Sequence, residues 1–279
     1  MGFLTSLLAL IAAVAVALPV RIYQLTRLVD YSTGFYQSDS MTNYAFIFVI
    51  LLLCAVAAAP ILLGRFKADD FLIKQRYRVI GAFQTFLGFS VVYEAGVTIG
   101  NFIVGKNVSP FDTVIDLFGL AVGFILLIIG FNLMMGNLRT QPMSSVSLIP
   151  VLYYAVKMIR TFMQLRIVAA VSQNVLTVLF SVSMVLFMFS YARVLSDIHP
   201  QKGIQGCLTY GFLASTISLV SVVPRLYVFW FAGQQATEAV AFPEISEIAA
   251  SLFVTVFTVN LMVRNIRKPE KRQPQIQLP

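Results

Sequence analysis

The sequence predicts an all-α protein that crosses a membrane several times. Of its 279 residues, 58% are hydrophobic and only 11% are charged, and the mean hydropathy is +0.84. This composition leaves too few polar side chains to cover a soluble globule of this size. The apolar residues also fall into runs of roughly 20, the length that an α-helix needs to cross a bilayer core of about 30 Å.

Eight apolar runs follow one another along the chain. They lie at residues 3–20, 44–63, 79–104, 113–135, 146–162, 175–192, 207–223 and 245–263. The fifth run is the weakest because it carries Lys157 and Arg160, and each charge at membrane depth costs about 2.5 to 3.5 kcal/mol. Taken alone, it fits a re-entrant or interfacial segment.

The positions of the basic residues predict the orientation. With eight spans, most of the 20 Lys and Arg residues fall in the second, fourth and sixth loops, at the adjoining helix ends and after residue 263. The positive-inside rule makes those segments and both termini cytoplasmic. Omitting the fifth span would move the basic residues after position 263 to the opposite side, so we predict eight spans.

The first run has a second interpretation. "AVALP" at residues 15–19 offers a signal-peptidase site after Ala17, which would leave seven spans. Against this, no Lys or Arg precedes the run, as one normally does in a signal peptide. Residues 1–263 are predicted to form a single transmembrane helical domain. Residues 264–279, which are rich in basic residues and proline, are predicted to be a disordered cytoplasmic tail.

Polar residues recur on one face of several predicted helices, at a spacing that turns them away from lipid. The sets are Ser90, Glu94, Thr98 and Asn101 on the third helix; Asp112 and Asp116 on the fourth; Tyr153, Lys157, Arg160 and Gln164 on the fifth; Asn174, Thr177 and Ser181 on the sixth; Ser218, Ser221 and Arg225 on the seventh; and Glu247, Ser251, Thr255 and Thr258 on the eighth. At 1.5 Å per residue, nearly all intramembrane charges lie in the outer half.

This polar layer is the predicted ligand site. Glu94, Lys157 and Arg160 are placed at its centre, with Asp116 and Arg225 nearer the mouth. The same stripes add Thr98 and Tyr153 to the candidate site residues. Lys157 and Arg160 suit an anionic headgroup or a carboxylate. The first loop, "RLVDYSTGFYQSDS" at residues 27–40, is either a rim over this site or a plug between helix ends.

Three functions fit the layer. The first is binding or transport of a small solute or lipid headgroup in a polar cavity that faces outside. The second is a structural or assembly protein whose charges form a dry network, with Glu94 and Arg160 as a buried ion pair. The third, an enzyme acting on lipid, has no support from a carboxylate cluster or an activated nucleophile. The expected partners are the lipid bilayer and a small solute or anionic headgroup, and the sequence does not identify a protein partner.

Other chemistry has little support in the sequence. Basic residues flank membrane segments instead of forming a patch, which excludes nucleic acid as a partner. The only histidine, His199, precedes Pro200 in a predicted loop, and Cys54 and Cys207 lack metal-ligand spacing. The acidic pair at residues 69–70 is interpreted as a solvated loop. We therefore predict no metal and no cofactor.

Three stretches carry a resemblance to a known group. They are "RLVDYSTGFY" at residues 27–36, "IPVLYYAVKMIRTFM" at 149–163 and "FSYARVLSD" at 189–197. Together they resemble uncharacterised multi-pass membrane proteins of clostridial and related Gram-positive bacteria. The resemblance implies a bacterial plasma membrane and brings no activity, cofactor or site residue with it.

Overall fold

Eight α-helices account for most of the residues that the computed structural model describes, which are 2–28, 40–62, 77–106, 109–136, 146–164, 171–231 and 242–267. The helices are α1 (Gly2–Tyr23), α2 (Ser40–Leu62), α3 (Arg78–Ile103), α4 (Pro110–Met135), α5 (Ile149–Gln164), α6 (Val171–Leu195), α7 (Pro200–Phe231) and α8 (Ile245–Arg267). A π-helical turn, Gln24–Leu28, continues α1. These described residues contain no β-strand, so the predicted all-α class is confirmed for them.

Six of the described helices are long and apolar enough to cross a membrane: α1 with its π-helical turn, α3, α4, α6, α7 and α8. The described apolar part of α2, Ala45–Ala55, is shorter. Helix α5 has 16 residues, which at 1.5 Å per residue is about 24 Å, less than a bilayer core of about 30 Å. The chain is therefore a multi-pass helical membrane protein with six candidate spans.

The outward faces of these helices support the membrane assignment. Large apolar side chains are exposed along α3, α4 and α5; among them are Phe89, Val97, Val114, Leu117, Phe124, Ile128, Leu152, Ile159 and Phe162. A soluble protein rarely exposes such extended apolar surface, because leaving it in water is unfavourable. On a membrane-spanning helix the same side chains face lipid tails.

The ends of α4 show how local sequence sets a helix boundary. Ser109 is extended and Pro110 occupies the first turn, where its missing N–H has no intrahelical partner to lose. Asp112 also lies in the first turn, where the helix dipole favours a carboxylate. At the other end Gly136 adopts a φ of 77°, and its N–H donates to the carbonyl of Asn132.

Helices α3 and α4 form a close hairpin with glycines at the contact. A Cβ added at Gly88 would lie 2.9 Å from the carbonyl oxygen of Gly123, and one at Gly81 would lie 2.7 Å from that of Gly130. At the open end of the hairpin the Tyr77 N–H donates to the Leu133 carbonyl over 3.1 Å. Small residues therefore let the two backbones approach closely, as is common between membrane helices.

Six helices form a closed cycle of contacts. In order around the cycle, α3 packs on α4, α4 on α5, α5 on α6, α6 on α7, α7 on α8, and α8 returns to α3. Helices α1 and α2 pack against α7, and α1 also contacts α8. The cycle matters for function because it defines an interior between α3, α5, α6, α7 and α8.

An aromatic cluster fills one level of this interior. Phe187 and Tyr191 of α6 pack against Phe253 and Phe257 of α8, with ring centroids 5.3 to 6.1 Å apart. All four side chains are buried. The Tyr191 hydroxyl donates to Oε1 of Gln84 on α3 over 2.5 Å. We call these four rings the aromatic cluster; it lies toward the end of the bundle where α6 and α8 finish.

Candidate functional site

The charged side chains that form ion pairs in the described structure gather at the opposite end of the bundle, where α3, α5 and α7 finish and α4 and α8 begin. Ion pairs join Lys157 to Glu94 and Glu244, Arg160 to Asp112 and Asp116, and Arg225 to Glu247. Residues far apart in sequence meet here because the helices are antiparallel. The charged members of the predicted polar layer thus meet in one region of the bundle.

Lys157 on α5 contacts residues of both α3 and α8. Its Nζ lies 2.7 Å from Oε2 of Glu244, 3.0 Å from the Ser246 hydroxyl and 3.9 Å from Oε2 of Glu94. Glu94 in turn accepts a hydrogen bond from the Ser246 backbone N–H over 2.6 Å. The first turn of α8 presents unpaired N–H groups and the positive end of a dipole, which is why a carboxylate from α3 settles there.

Arg160 pairs with two aspartates of α4. Its Nε lies 2.8 Å from Oδ1 of Asp112, and its Nη1 lies 3.9 Å from Oδ1 of Asp116. The two aspartates are four residues apart, so they share one helix face. That face turns toward α5, and it holds the guanidinium between α4 and the interior of the bundle.

Arg225 is the most buried cation of the three, with 8% of its side chain exposed. Its Nη2 lies 2.8 Å from Oε1 of Glu247, and its Nε donates to the Ser221 carbonyl over 2.9 Å. The Glu247 pair joins α7 to α8, while the Ser221 contact stays within α7. A buried guanidinium with a carboxylate partner fits the rule that buried charges are paired.

A chain of polar contacts links this cluster to α1. Arg21, which is fully buried, donates through Nη2 to Oε1 of Gln173 over 2.9 Å, and its guanidinium lies 5.9 Å from the Phe46 ring. Gln173 donates through Nε2 to the Ser221 hydroxyl over 2.9 Å. The Ser221 hydroxyl also accepts from Nη2 of Arg225 over 3.3 Å. Helices α1, α6 and α7 are therefore connected through side-chain hydrogen bonds.

A cavity of about 300 Å³ opens between α5, α6, α7 and α8 at this end. Its ionisable wall residues are Lys157, Arg160, Arg225, Glu244 and Glu247; its hydroxyl groups come from Tyr154, Thr161, Thr177, Ser181 and Ser246; its apolar surface comes from Phe180, Met184, Phe242 and Ala250. Three cations and two carboxylates thus face one space. Such a wall can hold oxyanions through the guanidinium groups and ammonium groups through the carboxylates.

The seven predicted site residues fall into three groups: residues of the cavity wall, partners of those residues outside the wall, and residues that are neither. Lys157, Arg160 and Arg225 belong to the cavity wall. Glu94 and Asp116 stand behind it as partners of Lys157 and Arg160. The two remaining residues, Tyr153 and Thr98, are not wall residues of this cavity.

Tyr153 has a packing role in the structure. It is buried, its ring meets Phe118 edge-on, and it fills the space beside Gly119, where an added Cβ would lie 2.9 Å from the ring. Gly119 therefore makes room for α5, and Gly123, one turn later, makes room for α3. Thr98 is half-buried one turn beyond Glu94 on α3.

The pairing expected for Glu94 is different in the structure. The structural alternative pairs Glu94 with Arg160, whereas in the structure Glu94 contacts Lys157 and Arg160 contacts Asp112. The reason is the order of the helices around the interior. Helix α4 lies beside α5 and offers Asp112 directly to Arg160, whereas Glu94 faces the start of α8 and reaches Lys157 there.

Sequence reasoning missed Glu244, Ser246, Gln173 and Gln84. Glu244 had a usable signal, because acidic residues are favoured at helix starts and "PEISE" at residues 243–247 spans the start of the last apolar run. Gln173 and Gln84 had none, since single amides in apolar segments reveal their partners only after folding. Glu244 lies just outside α8, and Lys157 lowers the pKa of its carboxyl below the ordinary value.

The histidine, the cysteines and the acidic residues were also considered as metal or catalytic groups. Within the described ranges, no group of three or more His, Cys, Asp or Glu side chains is arranged to hold a metal ion. His199 is exposed in the turn between α6 and α7, and Cys54 and Cys207 are buried free thiols. The acidic pair at 69–70, the first loop from residue 29 and the tail from residue 268 lie outside the described residues.

No protein-family model, curated protein or solved structure matches this chain. The geometry and chemistry of the cavity therefore carry the functional argument by themselves.

Proposed function

We propose that this membrane protein binds a small polar solute or a lipid headgroup in the charged cavity and acts as a binding or transport protein. The observation that carries this proposal is the cavity of about 300 Å³ with five ionisable wall residues inside an otherwise apolar bundle. Charged residues in membrane segments are costly and commonly mark pathways for solutes or ions. Ligand pockets begin at about 300 Å³, so the space suits a small ligand.

The closed level below the cavity supports transport in particular. On α6, Thr177, Phe180 and Met184 line the cavity, and Phe187 and Tyr191 of the aromatic cluster follow along the same helix. Helix α8 repeats this order, with Ser246 and Ala250 in the wall before Phe253. A site that is reachable from one end and closed at the other is what one state of an alternating-access transporter requires.

The membrane and the orientation are also part of the proposal. Eight spans with both termini in the cytoplasm place the cavity end of the bundle outside, in the plasma membrane of a bacterium. One observation supports this orientation: the basic residues concentrate near the opposite end and in the tail. The bacterial plasma membrane is what the resemblance of three stretches to clostridial membrane proteins implies. The second and fifth helices then cross the membrane with the other six.

Water access to the cavity is the first test. Thr177, a wall residue on α6, is replaced by cysteine after Cys54 and Cys207 are changed to alanine, and intact cells are treated with a membrane-impermeant thiol reagent. We expect labelling of Thr177→Cys, and labelling of Lys106→Cys, an exposed position at the same end, as the positive control. Wild-type protein, whose free thiols are both buried, is the negative control.

Strong labelling at Lys106→Cys with none at Thr177→Cys or Ser181→Cys would contradict the proposal. The cavity would then be closed to water, and a bound solute would have no route to it.

A structural role is the second candidate, and one observation favours it. Each cation of the wall already lies 2.7 to 2.8 Å from a carboxylate of another segment, at Glu244, Asp112 and Glu247. Such pairs can hold helices in register without any ligand. This candidate predicts no labelling at Thr177→Cys, whereas the binding candidate predicts labelling that a bound solute reduces.

A further inference from the structure

We infer that the ligand of the cavity is a small zwitterion, which carries an ammonium group together with a carboxylate or a phosphate. This inference rests on the proposed function and names the chemical class of its ligand. It follows from three features of the wall: guanidinium donors, carboxylate acceptors and their overall charge balance.

Two arginines keep hydrogen-bond donors available to the cavity. The contacts of Arg225 use Nε and Nη2, and those of Arg160 use Nε and Nη1. Among the described residues, Nη1 of Arg225 donates no hydrogen bond and the Arg160 guanidinium donates none, and both side chains line the cavity. Nε of Arg160, although 2.8 Å from Oδ1 of Asp112, is buried without a hydrogen-bond partner there. Arg225 is 93% buried by residue. Guanidinium N–H groups held in this way favour carboxylate or phosphate oxygens.

Two carboxylates keep acceptors available. Glu247 contacts Arg225 through Oε1, and Glu244 contacts Lys157 through Oε2. Among the described residues, the Glu247 carboxylate accepts no hydrogen bond, and the Glu244 carboxylate accepts one, from Lys157 at Oε2. Both glutamates belong to the segment that starts α8, whereas the arginines belong to α5 and α7. Donors and acceptors therefore stand on different walls of one cavity.

The overall charge separates a zwitterion from a simple ion. The layer holds Lys157, Arg160 and Arg225 against Glu94, Asp112, Asp116, Glu244 and Glu247. A simple anion would add negative charge to a layer that already has more carboxylates than cations, at low local dielectric. A simple cation would leave the guanidinium donors without an acceptor. A zwitterion satisfies both walls and brings less negative charge than the matching anion: an amino acid is neutral overall, and the ammonium group of an aminoalkyl phosphate offsets one charge of its phosphate.

The rest of the cavity limits the size of the ligand. Phe180, Met184 and Phe242 form its apolar surface, and the volume of about 300 Å³ is at the lower end for ligand sites. The Tyr154 side chain is buried at this wall, and its hydroxyl has no hydrogen-bond partner among the described residues. A short apolar group beside the charged atoms, as in a small amino acid or an aminoalkyl phosphate, fits this surface.

Matched analogues test the inference on the purified full chain in detergent. Binding is measured by isothermal titration for alanine, propionate and ethylamine, and for phosphoethanolamine, phosphate and ethanolamine. We expect the zwitterion of at least one series to bind about tenfold or more tightly than either of its single-charge analogues, because each loses charge-assisted hydrogen bonds. Equal or tighter binding by propionate, phosphate or an amine would overturn the inference.

Variants assign the two ends of the ligand. Arg160→Gln should reduce zwitterion binding to the level of the matching amine while leaving the amine unchanged, and Glu247→Gln should do the reverse. Lys106→Gln, at an exposed position outside the cavity, is the control and should change neither affinity. A variant that only destabilised the fold would weaken the binding of all analogues equally. That result for both Arg160→Gln and Glu247→Gln would overturn the assignment of the two ends of the ligand.

Two further measurements identify the source of the ligand and distinguish failure of this inference from failure of the proposed function. Phosphatidylethanolamine vesicles that compete with the bound zwitterion, when phosphatidylglycerol vesicles do not, indicate a headgroup; equal behaviour of the vesicles indicates a free solute. If no analogue and no vesicle binds while Thr177→Cys is labelled, the zwitterion inference is wrong and the binding proposal stands. Without labelling at Thr177→Cys, both fail.

Discussion

At the residue scale, the charged cluster depends most on Lys157. It is the one cation of the described cluster that contacts carboxylates from two separate segments, Glu94 on α3 and Glu244 before α8. The Lys157 and Glu94 side chains are 23% and 24% exposed, so both are shielded from water over most of their surface. Removing the cation would leave two carboxylates facing each other in poorly solvated surroundings.

Lys157→Met should destabilise the protein for this reason. We expect the free energy of unfolding to fall by about 1 to 3 kcal/mol. Breaking a fully buried ion pair costs about 3 to 5 kcal/mol, and the cost is smaller here because partial exposure screens the charges. Thermal unfolding in detergent measures the effect, with Lys202→Met at an exposed position of the opposite end as the control. Adding Glu94→Gln to Lys157→Met should recover part of the lost stability, because one of the two unpaired carboxylates is then removed. If the destabilisation of the double variant equals the sum of the two single variants, Lys157 and Glu94 do not interact.

The Glu244 carboxyl predicts a pH dependence. Because Lys157 lowers its folded pKa below the ordinary glutamate value of about 4.3, its stabilising contribution is fully present above that value. The contribution is lost as the pH falls through the lowered folded pKa. The difference in melting temperature between wild type and Glu244→Gln should be constant near neutral pH and shrink in acid. If the difference in melting temperature grows on acidification instead, the folded pKa of Glu244 is raised and not lowered.

At the element scale, the α3–α4 hairpin depends on glycines at the helix contact. Any side chain larger than the hydrogen of glycine would prevent the two backbones from approaching this closely. Gly88 faces the Gly123 carbonyl, and Gly81 faces that of Gly130. Gly96 lies on the same helix α3, but an added Cβ there would meet nothing within 4 Å. The two kinds of glycine therefore give a matched comparison within one helix.

Gly88→Ala and Gly96→Ala should have opposite effects. At Gly96 alanine should be neutral or stabilise by up to about 1 kcal/mol, because it has the better helix propensity. At Gly88 the new methyl group presses on a backbone carbonyl at 2.9 Å, and overpacking of this kind costs about 1 to 3 kcal/mol. Melting temperatures of the two variants measure the difference; equal values would mean that the hairpin is looser than the structure shows.

At the scale of the whole molecule, six helices surround an interior that is open at one level and filled by aromatic rings at another. The charged end is held by ion pairs between helices, and the other end by the aromatic cluster and the Gln84–Tyr191 hydrogen bond. This asymmetry gives the bundle a direction, which the proposed orientation relates to the two sides of a membrane.

Terminal tags test that orientation. With both termini in the cytoplasm, protease added to intact cells should leave an N-terminal and a C-terminal tag uncut, and lysis should expose both. A cysteine at Lys106, at the cavity end, should be labelled from outside. If only the C-terminal tag is cut in intact cells, the number of spans is odd, and failure of the second or the fifth helix to cross the membrane would explain the change.

Much of the fold was predictable, because helix formation in a membrane depends on local sequence. Each of the eight apolar runs lies mostly or entirely within one described helix, since every backbone N–H and C=O in the bilayer has to be satisfied within its own segment. The polar stripes were also local, because residues three and four apart share a helix face. The convergence of Lys157, Arg160 and Arg225 at one end followed from counting residues along antiparallel helices.

Which partner each charge finds was decided by tertiary structure alone. Lys157 meets Glu94 and Glu244, and Arg160 meets Asp112, because α5 stands between α4 and α6 in the cycle of helices. Lateral order around a bundle depends on close contacts such as Gly88 with Gly123, which involve residues distant in sequence. By itself the sequence determined the class of protein, the helices and the positions of the charges along them. Only packing decided the pairs and left a cavity between them.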